Sequence, residues 1–221
     1  MKVHAVILAA GKSTRFKEDK LFSIINEFPL IKYPIDTFLN SLLIDSITIT
    51  ANPQNISKIE SIFSNRHSEK ITFIKGGKSR NESEFIALNH LKQKSVSDND
   101  LVVIHDAARA FLSTELLEKL ILHAIEFGSA SPYLHSGILV DKNNILTEKE
   151  IVEIQTPQVF DFKCLIESYE KAAIENFHSL DTTECVSKYT NITPQVIEGE
   201  LVNKKITYKK DIDEIKEIIG I

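Results

Sequence analysis

Arg15 and Lys20 stand five positions apart beyond a run of small residues, Ala9-Ala10-Gly11, with Lys12, Ser13 and Thr14 between. Small residues let the main chain approach a ligand closely, and its N–H groups can cradle phosphate oxygens. Two fixed cations suit the negative charge that builds on a transferring phosphoryl group. The letters Gly11-Lys12-Ser13-Thr14 match the end of a Walker A loop, but Val6 stands where that motif requires its first glycine, which excludes a P-loop. No G-x-G-x-x-G occurs in this turn either, which places a dinucleotide-binding oxidoreductase low.

Five further clusters could carry chemistry, Asp181-Thr182-Thr183-Glu184 among them. Gly76-Gly77-Lys78-Ser79-Arg80-Asn81-Glu82-Ser83 has a double glycine that lets the backbone lie close to a planar group; Ser79 could equally be only a helix N-cap. His105-Asp106-Ala107-Ala108-Arg109 sets a carboxylate beside small residues, a ligand for Mg²⁺ or a ribose hydroxyl, or one half of a structural Asp–Arg ion pair. Gln155-Thr156-Pro157-Gln158 is a polar run that could be merely a turn. Lys205 sits in Asn203-Lys204-Lys205-Ile206-Thr207, which reads as a short strand presenting the lysine on one face, where it could meet a second phosphate.

The elements that must position these clusters follow from periodicity. Short apolar runs at residues 3–9, 46–51, 71–75, 101–105 and 130–134 lack polar alternation, as strands covered on both faces do. Helical periodicity covers 30–41, 55–64, 79–94, 114–127, 162–176 and 210–219, with Ser113 as N-cap of the fourth. Alternation of this kind predicts a doubly wound, mostly parallel α/β sheet of Rossmann-like form, whose ligands sit at the carboxyl ends of the strands. The unusual residues fall just there. Residues 136–154 depart from the pattern, with β-prone runs around Asp141-Lys142-Asn143-Asn144, and are expected to form a projecting β-hairpin arm that pairs two subunits.

The length of 221 residues fits a single domain spanning 1–221, and 43% hydrophobic with 26% charged residues is ordinary for a globular protein. A net charge of −5 argues against a nucleic-acid binder working by broad phosphate neutralisation. Two cysteines, Cys164 and Cys185, without metal-site spacing imply reduced thiols and an intracellular, cytoplasmic protein. No apolar run approaches the ~18 residues of a membrane span, so no membrane partner is expected.

In order, LAAGKSTRF, GGKSRNES, VVIHDAARAFLS, QTPQVF and VNKKIT resemble the cytidylyltransferases that act on 2-C-methyl-D-erythritol 4-phosphate and ribitol 5-phosphate. The resemblance implies a nucleotidyltransferase fold, a homodimer through the arm, Mg²⁺ dependence, and formation of a CDP-alditol and pyrophosphate from CTP and a polyol phosphate. It implies that Ala9, Ala10, Gly11, Lys12, Ser13 and Thr14 wrap the triphosphate, with Arg15 and Lys20 catalytic at the α-phosphorus. Gly76, Gly77, Arg80 and Ser83 would lie against cytosine, Asp106 near the ribose and the metal, and Ala107 and Arg109 elsewhere at the nucleotide. Lys205 would act on the acceptor phosphate, both as a catalytic and a binding residue.

The acceptor half departs from the family pattern. Ser13 replaces a glycine of the first loop; His135-Ser136 stand for an Asp-Thr pair, Ile138 for a lysine, and Glu148, beside Lys149, for an arginine. The expected acceptor-binding set is therefore His135, Ser136, Lys149, Thr156 and Lys205. Methylerythritol phosphate ranks first as acceptor, ribitol 5-phosphate or another polyol phosphate next. A different nucleotide, UTP or GTP, and a CTP-binding regulator without turnover are the remaining alternatives.

Overall fold

The computed structural model describes residues 1–11, 16, 19–63, 69–135 and 152–220. The elements run β1 (Val3–Ala9), β2 (Ile24–Ile25), β3 (Phe28–Pro29), α1 (Lys32–Asn40), β4 (Ser46–Ala51), α2 (Pro53–Phe63), β5 (Ile71–Lys75) and α3 (Arg80–Gln93). They continue with β6 (Leu101–Asp106), α4 (Thr114–Phe127), β7 (Ser129–His135), β8 (Val152–Ile154), β9 (Gln158–Asp161), α5 (Phe162–Glu175), α6 (Thr182–Tyr189), β10 (Val196–Glu198) and α7 (Lys210–Ile219). Short 3₁₀ turns occupy Lys20–Phe22 and Leu201–Asn203.

One sheet of order β10-β7-β9-β6-β1-β4-β5 organises the chain, with β8 added beside β7. Pairs β1–β4, β1–β6 and β4–β5 are parallel, whereas β9 runs antiparallel between β6 and β7. The α/β class and mostly parallel sheet expected from the sequence hold. β9 escaped the periodicity because it is only four residues long and follows directly on the Thr-Pro-Gln turn. The helix α6 was missed too, although Asp181 caps it by accepting from the Glu184 N–H at 2.8 Å.

Alternation along the strands divides the interior in two. Ala5, Ile7 and Ala9 of β1 face one core with Ile35, Ile59, Leu117 and Ile215, from α1, α2, α4 and α7. Val6 faces the other core, with Leu88 of α3, Leu165 of α5 and Val186 of α6. Both sheet faces are thus covered, which explains strands without polar alternation. Among the described residues no helix is long and apolar enough to cross a membrane.

Of the segment expected as a hairpin arm, only residues 152–154 are described. They pair antiparallel with β7, Tyr133 opposite Ile154 and His135 opposite Val152. Ser136, Lys149 and the remainder of residues 136–151 lie outside the described residues, as do Lys12, Ser13, Thr14 and Arg15.

Candidate active site

The strand register brings the predicted clusters to one edge of the sheet. Leu8 pairs with Asp106 across β1 and β6, and Ala51 of β4 pairs with both Ala9 and Lys75. The chain therefore leaves β1, β5 and β6 at the same, carboxyl end of the sheet, and the three following loops wall a cleft. Ala9, Ala10, Gly11, Lys20, Gly77, Arg80, Ser83, Asp106 and Lys205 line it, all from the predicted set. Lys78, Ser79 and Ala108 join them.

Gly76 serves the close approach of two loops. A Cβ there would stand 2.3 Å from the Ala10 Cβ, so only glycine lets the loop after β5 pack on the loop after β1. Its N–H continues the ladder to the Ala51 carbonyl at 2.9 Å, and the Gly77 N–H donates to Ser83 Oγ at 3.0 Å. Ser79 caps α3 by accepting the Glu82 N–H. Its hydroxyl is engaged at the helix end.

Asp106 is the electrostatic centre of the cleft. Its Oδ2 accepts from Lys205 Nζ at 2.7 Å, and its Oδ1 lies 3.3 Å from Arg80 Nε. Burial by itself would raise the carboxyl, but the charges of Arg80 and Lys205 outweigh it and hold the group well below the usual carboxylate range. Arg80 reaches further, to Glu84 Oε1 at 2.8 Å and Thr182 Oγ1 at 3.3 Å. Burial pushes the Glu84 carboxyl up, partly opposed by Arg80 and by the Thr182 and Tyr169 hydroxyls.

A buried hydrogen-bond chain supports Asp106 from behind. The Asp106 N–H donates to Thr156 Oγ1 at 3.0 Å; that hydroxyl lies 3.1 Å from His105 Nδ1, and His105 Nε2 lies 3.0 Å from the Arg109 carbonyl. The pattern assigns a neutral imidazole: Thr156 donates to Nδ1, and Nε2–H donates to the carbonyl. Burial lowers the His105 pKa to about 4, which keeps the ring neutral.

Within this arrangement several of the expected site residues have partners inside the protein. Thr156, expected at the acceptor, is buried and its hydroxyl belongs to the Asp106–His105 chain. Ala107, expected at the nucleotide, is buried because its N–H donates to the Leu8 carbonyl, continuing the sheet ladder. Arg109, expected beside it, is buried, and its guanidinium donates to the carbonyls of Asn203 in the 3₁₀ turn at 3.0 Å and of Ile154 in β8 at 3.4 Å. His135 stands at the exposed end of β7, its ring edge-on to Tyr133 at 5.3 Å, and is not among the cleft residues. Lys205 is not on a strand; it follows the 3₁₀ turn, and the Ile206 N–H ties that segment to the Ala108 carbonyl at 2.8 Å. The Ile206 carbonyl in turn accepts from Lys20 Nζ at 2.7 Å, joining the two predicted lysines through one residue.

No group of three or more His, Cys, Asp or Glu is placed to hold a metal among the described residues. The donor set nevertheless fits a divalent cation that arrives with a polyphosphate. Mg²⁺ in such sites takes one or two carboxylates and completes its shell with phosphate oxygens and water, and Asp106 offers one ionised carboxylate at the cleft wall.

Residues 3–220 match the family of 2-C-methyl-D-erythritol 4-phosphate cytidylyltransferases. The chain belongs to this family. A member from Clostridium tetani is 33% identical, with 97% of this chain and 89% of that protein aligned. One from Dictyoglomus thermophilum is 36% identical over 96% of this chain and 94% of its own. The fold of the family recurs in the crystal structure of 4-diphosphocytidyl-2C-methyl-D-erythritol synthase from Anaerococcus prevotii, at a TM-score of 0.85 and 24% identity, covering 100% of this chain and 96% of that one. Membership makes the chain a nucleotidyltransferase of the cytidylyl-transferring type.

Glu84 and Tyr169 were not anticipated as parts of this site, whereas Thr182 belongs to the Asp181-Thr182-Thr183-Glu184 run that the sequence marks without a role. The signal for Glu84 was present: it lies on the α3 face that buries Ala87, Leu88 and Leu91, where a carboxylate needs partners. Tyr169 carried no such signal, because it comes from a separate helix.

Proposed function

We propose that this chain transfers the cytidylyl group of CTP to 2-C-methyl-D-erythritol 4-phosphate, releasing pyrophosphate, in isoprenoid precursor synthesis. The observation that carries the proposal is the Arg80–Asp106–Lys205 cluster in a cleft walled by the loops after β1, β5 and β6. It occurs in a chain whose relatives bear that name over nearly their full length.

The chemistry needs no enzymic general base. The nucleophile is a phosphate monoester oxygen, already anionic near neutral pH because its second pKa is about 6. It attacks the α-phosphorus of CTP, and the bond from that phosphorus to the bridging oxygen of the β-phosphate breaks. The work left to the protein is to hold two mutually repelling anions in line and to neutralise developing charge. Lys20 and Arg15 act at the triphosphate, and Lys205 at the acceptor phosphate. Asp106 holds Lys205 in place and, when Mg²⁺ is bound, provides its protein ligand; the cation supplies charge neutralisation on the polyphosphate. The loop 76–83 recognises the base.

The remaining parts of the proposal concern context. Residues 1–221 form one catalytic domain, residues 136–154 pair two copies into a homodimer, and the enzyme works in the cytoplasm. His135, Ser136 and Lys149 shape the acceptor side, where the sequence departs most from the family pattern.

Pyrophosphate release, measured with CTP, UTP, GTP and ATP against methylerythritol phosphate, ribitol 5-phosphate and related polyol phosphates, tests the proposal. CTP with methylerythritol phosphate is expected to give the highest kcat/KM. Preference for another nucleotide would remove the base assignment. A rise in melting temperature with CTP but no CDP product from any acceptor would make the chain a binding protein instead.

A further inference from the structure

Glu84 is wholly buried, at 0% exposure, on a face of α3 otherwise given to Ser83, Ala87, Leu88 and Leu91. A carboxylate is costly to keep in such a place unless it is paired and hydrogen-bonded. Here both oxygens are met. Oε1 lies 2.8 Å from Arg80 Nη1 and accepts from the Thr182 hydroxyl at 2.7 Å, while Oε2 accepts from the Tyr169 hydroxyl at 2.7 Å. Arg80 then places Nη2 on Thr182 Oγ1 and Nε on Asp106 Oδ1, each at 3.3 Å. Two carboxylates, one wholly interior and one at the cleft wall, therefore contact a single guanidinium through different nitrogens.

Stability is a poor reason for this arrangement, since well-packed apolar residues commonly replace buried ion pairs at no loss. Preorganisation is a better one. A free arginine carries much rotamer entropy, and fixing it before the ligand arrives removes that cost from binding. We propose that Glu84 is a positioning residue for the nucleotide: anchored by Tyr169 and Thr182, it fixes the Arg80 guanidinium at the cleft so that CTP meets it already oriented. The inference rests on the reading of the cleft as the CTP site. It extends that site inward to three helices, α3, α5 and α6.

Steady-state kinetics on Glu84→Gln, Arg80→Ala and the double variant, each checked for folding by circular dichroism, test it. Glu84→Gln keeps the volume and removes the charge. It is expected to raise KM for CTP about tenfold, the effect of uncoupling a contacting pair, with kcat and the acceptor KM within about twofold of the parent. Because Glu84 acts through Arg80, the double variant is expected to be no worse in CTP KM than Arg80→Ala alone. A structural role would instead give additive losses, or losses spread over kcat and both KM values, and either result overturns the proposal. So does an unchanged CTP KM in folded Glu84→Gln. Should that variant fail to fold, Tyr169→Phe removes the donor on Oε2 without touching Arg80; about a threefold rise in CTP KM is expected, and no rise overturns the proposal. Normal use of CTP by Arg80→Ala would overturn the reading of the cleft itself, a failure separate from that of Glu84.

Discussion

Asp106 Oδ2 accepts from Lys205 Nζ at 2.7 Å, although 99 positions separate the two residues. The contact exists because the Ile206 N–H ties the lysine's segment to the carbonyl of Ala108, two residues beyond the aspartate. The Ile206 carbonyl then receives Lys20. Three loops distant in sequence thus share one short backbone anchor.

Replacing Lys205 by alanine removes a cation from Asp106 and from the space assigned to the acceptor phosphate. The expected result is a fall of about 10²-fold in kcat/KM for methylerythritol phosphate, the scale of one lost charge-stabilising donor. Isothermal titration of CTP into the same variant is expected to show a much smaller change. Weakened CTP binding with an unchanged acceptor KM would move Lys205 to the nucleotide side.

Lys20→Ala and Arg15→Ala are each expected to lower kcat by about 10²–10³-fold with the fold intact. Single-turnover measurements at saturating CTP separate a slow chemical step from slow product release. Near-normal rates in both variants would remove these residues from catalysis.

Chelation of divalent cations with EDTA is expected to stop turnover, and excess Mg²⁺ to restore it. If Asp106 is the protein ligand, Asp106→Asn needs more Mg²⁺ for half-maximal rate than the parent enzyme does. A Mg²⁺ titration that is the same for both proteins would refute that role.

The neutral His105 links stability to pH. Its folded pKa of about 4 lies below the unfolded value of about 6.5, so between these values the unfolded chain binds the extra proton. Stability from this group is fully present above about pH 6.5 and is lost as the pH falls toward 4, by at most about 1.4 kcal/mol per pH unit. Urea melts of the parent and His105→Gln across that window are expected to show the steeper pH dependence in the parent. Equal slopes would mean that another group titrates there.

Gly76→Ala is expected to cost about 1–3 kcal/mol, as overpacking does, because the new Cβ would fall 2.3 Å from that of Ala10. CTP affinity is expected to drop with it, since the two loops that part are both cleft walls. Thermal melting with and without CTP measures both effects.

The sequence by itself determined most of the architecture. Strands at 3–9, 46–51 and 71–75 and the helices at 114–127 and 210–219 fall where periodicity places them, because strands covered on both faces and amphipathic helices write their burial directly into residue type. It also placed Ala10, Gly77, Arg80 and Asp106 at one sheet edge, since loops after parallel strands emerge together. What local chemistry could not express was the direction of side chains and the partners brought from afar. Arg109 and Thr156 belong to motifs as recognisable as that of Asp106, yet one turns to the carbonyls of Asn203 and Ile154 and the other to His105. Lys205 meets Asp106 only through the Ile206 anchor, and Glu84 gains its partners only when α3, α5 and α6 pack together. A hydrogen bond depends on position to within a fraction of an ångström, and that precision arises from the packing of elements far apart in the chain.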